Sequence, residues 1–99
     1  VLLSALNKST AHAKRLGGAT GTMLRFGNLE IIAHRCMQNE TKPTHSKALL
    51  EIWEMQSNTG PQKRFQGWMF ADTHSLSNLE HAVYDIQLIG CQQMDLSNQ

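Results

Sequence analysis

Five histidines, at positions 12, 34, 45, 74 and 81, and two cysteines, Cys36 and Cys91, are the side chains of this sequence best suited to hold a metal ion. A closed zinc site takes four nitrogen or sulfur ligands converging tetrahedrally, typically with a closely spaced pair among them. His34-Arg35-Cys36 supplies one weak pair, and its sulfur is better matched to Cys91, so no metal and no cofactor is expected. Acid–base chemistry is the other possibility these residue types raise. Glu80, His81 and Asp85 stand close together, with Asp72, His74 and Ser75 upstream. Catalysis asks for a base held beside a nucleophile or a substrate in a pocket. No nucleophile motif or phosphate loop accompanies these residues, so no catalytic residue is assigned. Glu80, His81 and Asp85 read first as a structural polar cluster tying down a long loop, and second as the site of a small hydrolase or transferase.

The elements that must position these residues are short and extended. Val1 to Leu6 is apolar and is broken by Asn7-Lys8-Ser9-Thr10, after which Ala11 to Leu16 forms the return arm of a hairpin. Thr22, Leu24 and Phe26 alternate with Met23 and Arg25. Gly27-Asn28 then supplies the positive backbone angles of a two-residue hairpin loop between Phe26 and Leu29. Leu29, Ile31 and Ala33 form one face of the next strand, and Glu30, Ile32, His34 and Cys36 the other. A polar loop containing Pro43 follows. Lys47 to Met55 alternates weakly in favour of a strand, with Ala48, Leu50 and Ile52 on its apolar face. Ser57-Asn58-Thr59-Gly60-Pro61 turns it into an antiparallel arm, Lys63 to Phe70. After a polar connection from Ala71 with room for a helical turn at Ser75 or Ser77, Tyr84, Ile86 and Leu88 point inward from a closing strand. Seven short strands at this spacing predict an all-β fold, a small antiparallel sandwich or barrel, with Leu50, Ile52, Phe65, Met69, Tyr84, Ile86 and Leu88 in its core.

Composition narrows the function classes. The chain has 99 residues, nine Lys plus Arg against eight Asp plus Glu, and a formal charge of +1 with the cations scattered, which speaks against nucleic acid as a partner. No apolar run approaches the roughly 18 residues a membrane-spanning helix requires. The start at Val1 without methionine is what removal of an upstream export signal, or a chosen boundary, leaves behind. Two cysteines without Cys-x-x-Cys spacing suit one long-range disulfide, with two buried free thiols as the alternative. Both cysteines fall on the mixed face of their strands by the same alternation. Trp53, Arg64, Gln66, Trp68 and Phe70 form a candidate binding face on the predicted hairpin, flat aromatics beside polar groups, unless Leu76 and Leu79 fold back over both indoles.

Gly67-Trp68-Met69-Phe70-Ala71, then Leu79-Glu80-His81, Val83-Tyr84-Asp85 and Cys91, resemble the exported, mainly alphaproteobacterial proteins grouped as domain of unknown function twenty-one fifty-five. Arg25-Phe26-Gly27, Leu29, Cys36 and Leu50-Glu51-Ile52-Trp53 extend the resemblance over nearly the whole chain. Ala82 stands where that pattern has proline, and the loop after Cys36 is less proline-rich. The resemblance implies export to the periplasm or cell envelope and two matched cysteines, and it implies no activity. Residues 1–99 are thus expected to be a single exported β domain. It is read as a non-enzymatic module for an envelope protein or polymer, with a small envelope hydrolase or transferase as the alternative.

Overall fold

Leu3, Ala5 and Leu16 are buried while their chain neighbours are not, the period-two signature of strands with one face on a core. The computed structural model describes residues 1–42, 45–71, 79 and 81–91, and builds them into seven antiparallel strands. These are β1 (Leu2–Asn7), β2 (His12–Gly17), β3 (Met23–Phe26), β4 (Leu29–Met37), β5 (Lys47–Gln56), β6 (Gly60–Phe70) and β7 (Tyr84–Gly90). One sheet has the order β2-β1-β7 and the other β3-β4-β5-β6. The architecture is therefore a two-sheet sandwich, and no closed barrel forms. The expected helical turn at Ser75 or Ser77, together with Asp72, His74, Leu76 and Glu80, lies outside the described residues.

Local chemistry sets the turns. Asn7 Oδ1 accepts from the amides of Ser9 (2.9 Å) and Thr10 (3.3 Å), which closes the β1–β2 hairpin. At the β3–β4 turn Gly27 has φ 57°, and a Cβ there would lie 2.6 Å from the Tyr84 hydroxyl. That hydroxyl accepts from the Asn28 amide at 3.2 Å, so a turn of one sheet is fastened to the first residue of β7 in the other.

Between the sheets lie Leu3, Ala5, Leu16, Tyr84, Ile86 and Leu88 from one side. Phe26, Leu29, Ile31, Ala33, Ala48, Leu50, Ile52 and Met69 come from the other. Phe65, expected in the core, is only partly buried and packs against its margin.

Cys36 and Cys91 form a disulfide, Cα to Cα 5.6 Å, that joins β4 to the end of β7 across the interlayer. The expected pairing holds, but the faces do not. In β4 the register slips between Ala33 and Arg35, leaving His34 as the extra residue of a β-bulge and setting Cys36 opposite Ala48, on the core side. A second slip pairs Leu3 with Leu88 but Leu2 with Gly90, so Ile89 is extra and the alternation leading to Cys91 is reversed as well. Each bulge turns one sulfur inward.

Reducing the bridge, which closes a loop of 55 positions, should lower the unfolding free energy by roughly 4 kcal/mol in urea denaturation. Gly27→Ala should cost about 2 to 4 kcal/mol, from left-handed backbone strain and the displaced tyrosine. Ile86→Ala should cost about 2 to 5 kcal/mol. A loss well under 1 kcal/mol for either substitution would contradict the contacts described.

Candidate functional site

The alternation that buries Ala48, Leu50 and Ile52 makes the next inward position of β5 Glu54, a carboxylate facing the interlayer at the sandwich margin. Such a group needs partners, because an unpaired carboxylate out of water is costly. His81 Nε2 lies 2.8 Å from Glu54 Oε1, with 13% of each side chain exposed. The other ring nitrogen, Nδ1, accepts from the amides of Val83 (3.0 Å) and Tyr84 (3.3 Å), so Nε2 carries the proton and donates it to Glu54. Arg64 Nε donates to the same carboxylate oxygen at 2.9 Å. Lys8 Nζ donates to the His81 carbonyl at 2.7 Å, and the Lys8 amide to the Val83 carbonyl at 2.7 Å. The hydrogen bond from His81, reinforced by Arg64 and opposed by partial burial, holds the Glu54 carboxyl below its usual value.

This cluster is a latch between β5 of one sheet and the approach to β7 of the other. Both ring nitrogens of His81 are committed, which leaves none free to take a proton from a nucleophile. Asp85 sits opposite Leu6, and the alternation with buried Tyr84 and Ile86 turns it away from the latch. His81 does tie down the loop that precedes β7, and its partner is Glu54 of β5, which belongs to none of the motifs of the sequence. The signal was present, because Glu54 continues an inward series whose other members are apolar.

The opposite face of the four-stranded sheet is built from cross-strand rows. Phe70, Lys47 and Met37 stand in one row; Trp68, Leu49 and Arg35 in the next; then Gln66, Glu51, Ile32 and Met23; then Lys63, Trp53, Glu30 and Arg25; and Pro61 with Met55 last. Trp53, Gln66, Trp68 and Phe70 therefore share this outer face. Arg64 is the extra residue of a bulge between Phe65 and Lys63, and its guanidinium is taken by Glu54 in the latch. Leu79 is buried in the core and so does not cover the indoles. Lysines lie over them, Lys47 Nζ 4.8 Å from the Trp68 ring and Lys63 Nζ 5.1 Å from Trp53.

Glu51 organises the centre of this face. Its two oxygens take His34 Nε2 at 2.9 Å and the Trp53 indole N–H at 2.6 Å, and these bonds lower its carboxyl from the ordinary value. Arg25 pairs with Glu30 at 3.0 Å. Beside them Ile32, Trp53, Met55, Pro61 and Glu30 surround a shallow, mainly apolar cleft of about 260 Å3. Met23 (46% exposed), Met37 (54%), Met55 (39%) and Phe70 (36%) are the large apolar side chains most exposed among the described residues, and all four belong to these rows. The same described residues contain no cluster of three or more histidine, cysteine or carboxylate groups able to hold a metal ion.

A family model described as "Uncharacterized protein conserved in bacteria (DUF2155)" matches residues 1–91. The Uncharacterized protein RP359 of Rickettsia prowazekii (strain Madrid E) is 36% identical over 88 residues, 88% of this chain and 57% of that protein. The chain thus spans little more than half the length of that relative. No solved structure matches.

His81→Ala should lower stability by about 1 to 3 kcal/mol, since it leaves two amides and part of the Glu54 carboxylate without a partner. Native tryptophan emission should not move, because both indoles lie on the far face of the sheet. A second variant tests the carboxylate. Because the folded-state value of Glu54 is depressed, its stabilisation is present above the unfolded value of about 4.3 and is lost as the pH falls through the folded one. The stability gap between the parent protein and Glu54→Gln should therefore be full near neutrality and close under acid conditions. A gap independent of pH would contradict the latch.

Proposed function

The chain belongs to the uncharacterized bacterial family whose model it matches, and from that premise we propose that it is a non-enzymatic binding module of the periplasm or cell envelope, docking a protein partner on the outer face of its four-stranded sheet. One observation carries the reading: among the described residues the four most exposed large apolar side chains and both tryptophans share a single face. Large apolar groups gathered on one side, rather than scattered, are a feature of interaction surfaces.

The chemistry of the face favours a protein over a polymer. Its carboxylates are already engaged, Glu30 with Arg25 and Glu51 with His34 and Trp53, so few polar groups remain to be satisfied by a hydroxyl-rich chain. The cleft beside Trp53 has room for about one large apolar side chain, the size of an anchor in a protein interface. Methionines around it can repack against a partner at little cost. The compartment is supported by the disulfide, which persists in oxidising surroundings. Among the described residues no helix is long and apolar enough to cross a membrane. The enzyme alternative finds no support in the latch, where His81 has no free nitrogen.

A photoreactive amino acid at Met55 should give a discrete protein adduct in the native bacterium, and the same probe at Thr10, on the other sheet, should not. Asp introduced at Met37 should reduce the Met55 adduct by at least tenfold while thermal stability changes little, since Met37 contributes nothing to the core. Equal adducts from both probe positions, or an adduct indifferent to Met37→Asp, would sink the assignment.

A further inference from the structure

Leu16 is the one buried residue of β2, and it faces buried Leu3 across the hairpin. The same alternation places Lys14, opposite buried Ala5, and then His12 on the interlayer side of that strand. Two inward positions are thus occupied by basic side chains. Across from them β3 is only four residues long, and the layer there is left incomplete. The result is a cleft of about 250 Å3 at the mouth of the sandwich, lined by Asn7, Thr10, His12 and Lys14 from the first hairpin and by Arg25, Phe26 and Gly27 from the second.

Among the described residues the lining contains no carboxylate. Among the described residues Lys14 and His12 enter no ion pair, and Arg25 meets Glu30 through Nη2, leaving further guanidinium N–H groups. Asn7 Oδ1 is spent on the amides of Ser9 and Thr10, which leaves its NH2 group to donate. Thr10 Oγ1 accepts from the His12 amide at 3.3 Å and keeps its own hydrogen for another acceptor. Among the described residues, donors from both hairpins thus line a space that offers no carboxylate acceptor.

The floor of the cleft is held rigidly. The His12 ring stacks on Phe26, centroids 5.8 Å apart and planes 5° from parallel. Phe26 meets Tyr84 edge-on at 6.0 Å, and Tyr84 meets His81 at 5.2 Å. The Tyr84 hydroxyl is itself fixed by the Asn28 amide. These contacts fix the aromatic floor, on which Lys14, Thr10 and Arg25 stand as exposed donors.

We propose that this cleft binds a phosphate group, carried either by a small soluble ester or by a phospholipid headgroup. A guanidinium, an ammonium and hydroxyl or amide donors are the set that recognises phosphate, and they are gathered here with no carboxylate among the described lining residues. This site shares Arg25 with the rows of the outer face but none of that face's exposed apolar side chains, and it would stand if the docking reading failed. A basic residue turned inward on an edge strand also discourages pairing with another chain. That role alone predicts no ligand.

The test is titration of the intact, disulfide-bonded protein with glycerol 3-phosphate at constant ionic strength, followed by amide NMR shifts. Saturable shifts confined to Asn7, Thr10, His12, Lys14, Arg25 and Gly27 are expected. Lys14→Gln and Arg25→Gln should each weaken binding about tenfold with melting temperature retained, whereas Lys42→Gln should not. Sedimentation with phosphatidic acid vesicles against phosphatidylcholine vesicles identifies the source: retention on the former alone assigns the headgroup, and no retention beside saturable binding of the ester assigns the soluble form. Linear shifts spread over lysines elsewhere, or binding unchanged in Lys14→Gln and Arg25→Gln, would overturn the proposal.

Discussion

β7 is fastened at both ends, and the sandwich depends on it. Without this strand the smaller sheet would be the β1–β2 hairpin alone, and an isolated two-stranded hairpin is marginal in water. β7 arrives only after a long connection from β6, so its docking must be secured against a large loss of chain freedom. At its start the Tyr84 hydroxyl takes the Asn28 amide, and His81 joins Glu54 to the backbone of Val83 and Tyr84. At its end Cys91 is bonded to Cys36. Between these points Ile86 and Leu88 fill the interlayer, and the two sheets are held at both margins as well as through the core.

Period-two alternation made most of this legible from residues alone. Leu29, Ile31 and Ala33 face inward as their spacing predicts, as do Ala48, Leu50 and Ile52, and Gly27-Asn28 closes the hairpin it announces. What alternation cannot report is a slipped register. A bulge adds one residue to one strand and reverses every face beyond it. His34, Ile89 and Arg64 are those extra residues, and nothing in their types marks them. Plain alternation thus pairs Cys36 with Cys91 through the wrong faces, and the pairing survives because the two reversals cancel. Arg64, counted with Trp68 on one face, was carried by the third bulge to the latch.

The sites were legible to different degrees for a related reason. Trp53, Gln66, Trp68 and Phe70 could be grouped from one hairpin, whereas the contributions of Met23, Ile32 and Met37 depend on which strands lie beside it. Strand neighbours follow from pairing, and a single sequence does not contain that information. Glu54, Lys14 and His12 were within reach. Each continues an inward series with a polar residue, and a polar group at an inward position has to find a partner, a solvent-filled margin or a ligand. Glu54 finds His81 and Arg64. Lys14 and His12 open on the cleft.

The two faces of the larger sheet consequently answer to different constraints. Substitutions among Leu29, Ile31, Leu50 and Ile52 alter the volume of a filled interlayer, and the cost appears as stability. Substitutions among Met23, Met37 and Met55 touch a face that the core does not use, so their cost appears in whatever the face contacts. A sheet can leave one face free in this way only if its other face, and its return strand, hold the fold together unaided. The disulfide and the His81 latch meet that condition here: both act through the interlayer and its margins, and neither takes a residue from the outer rows.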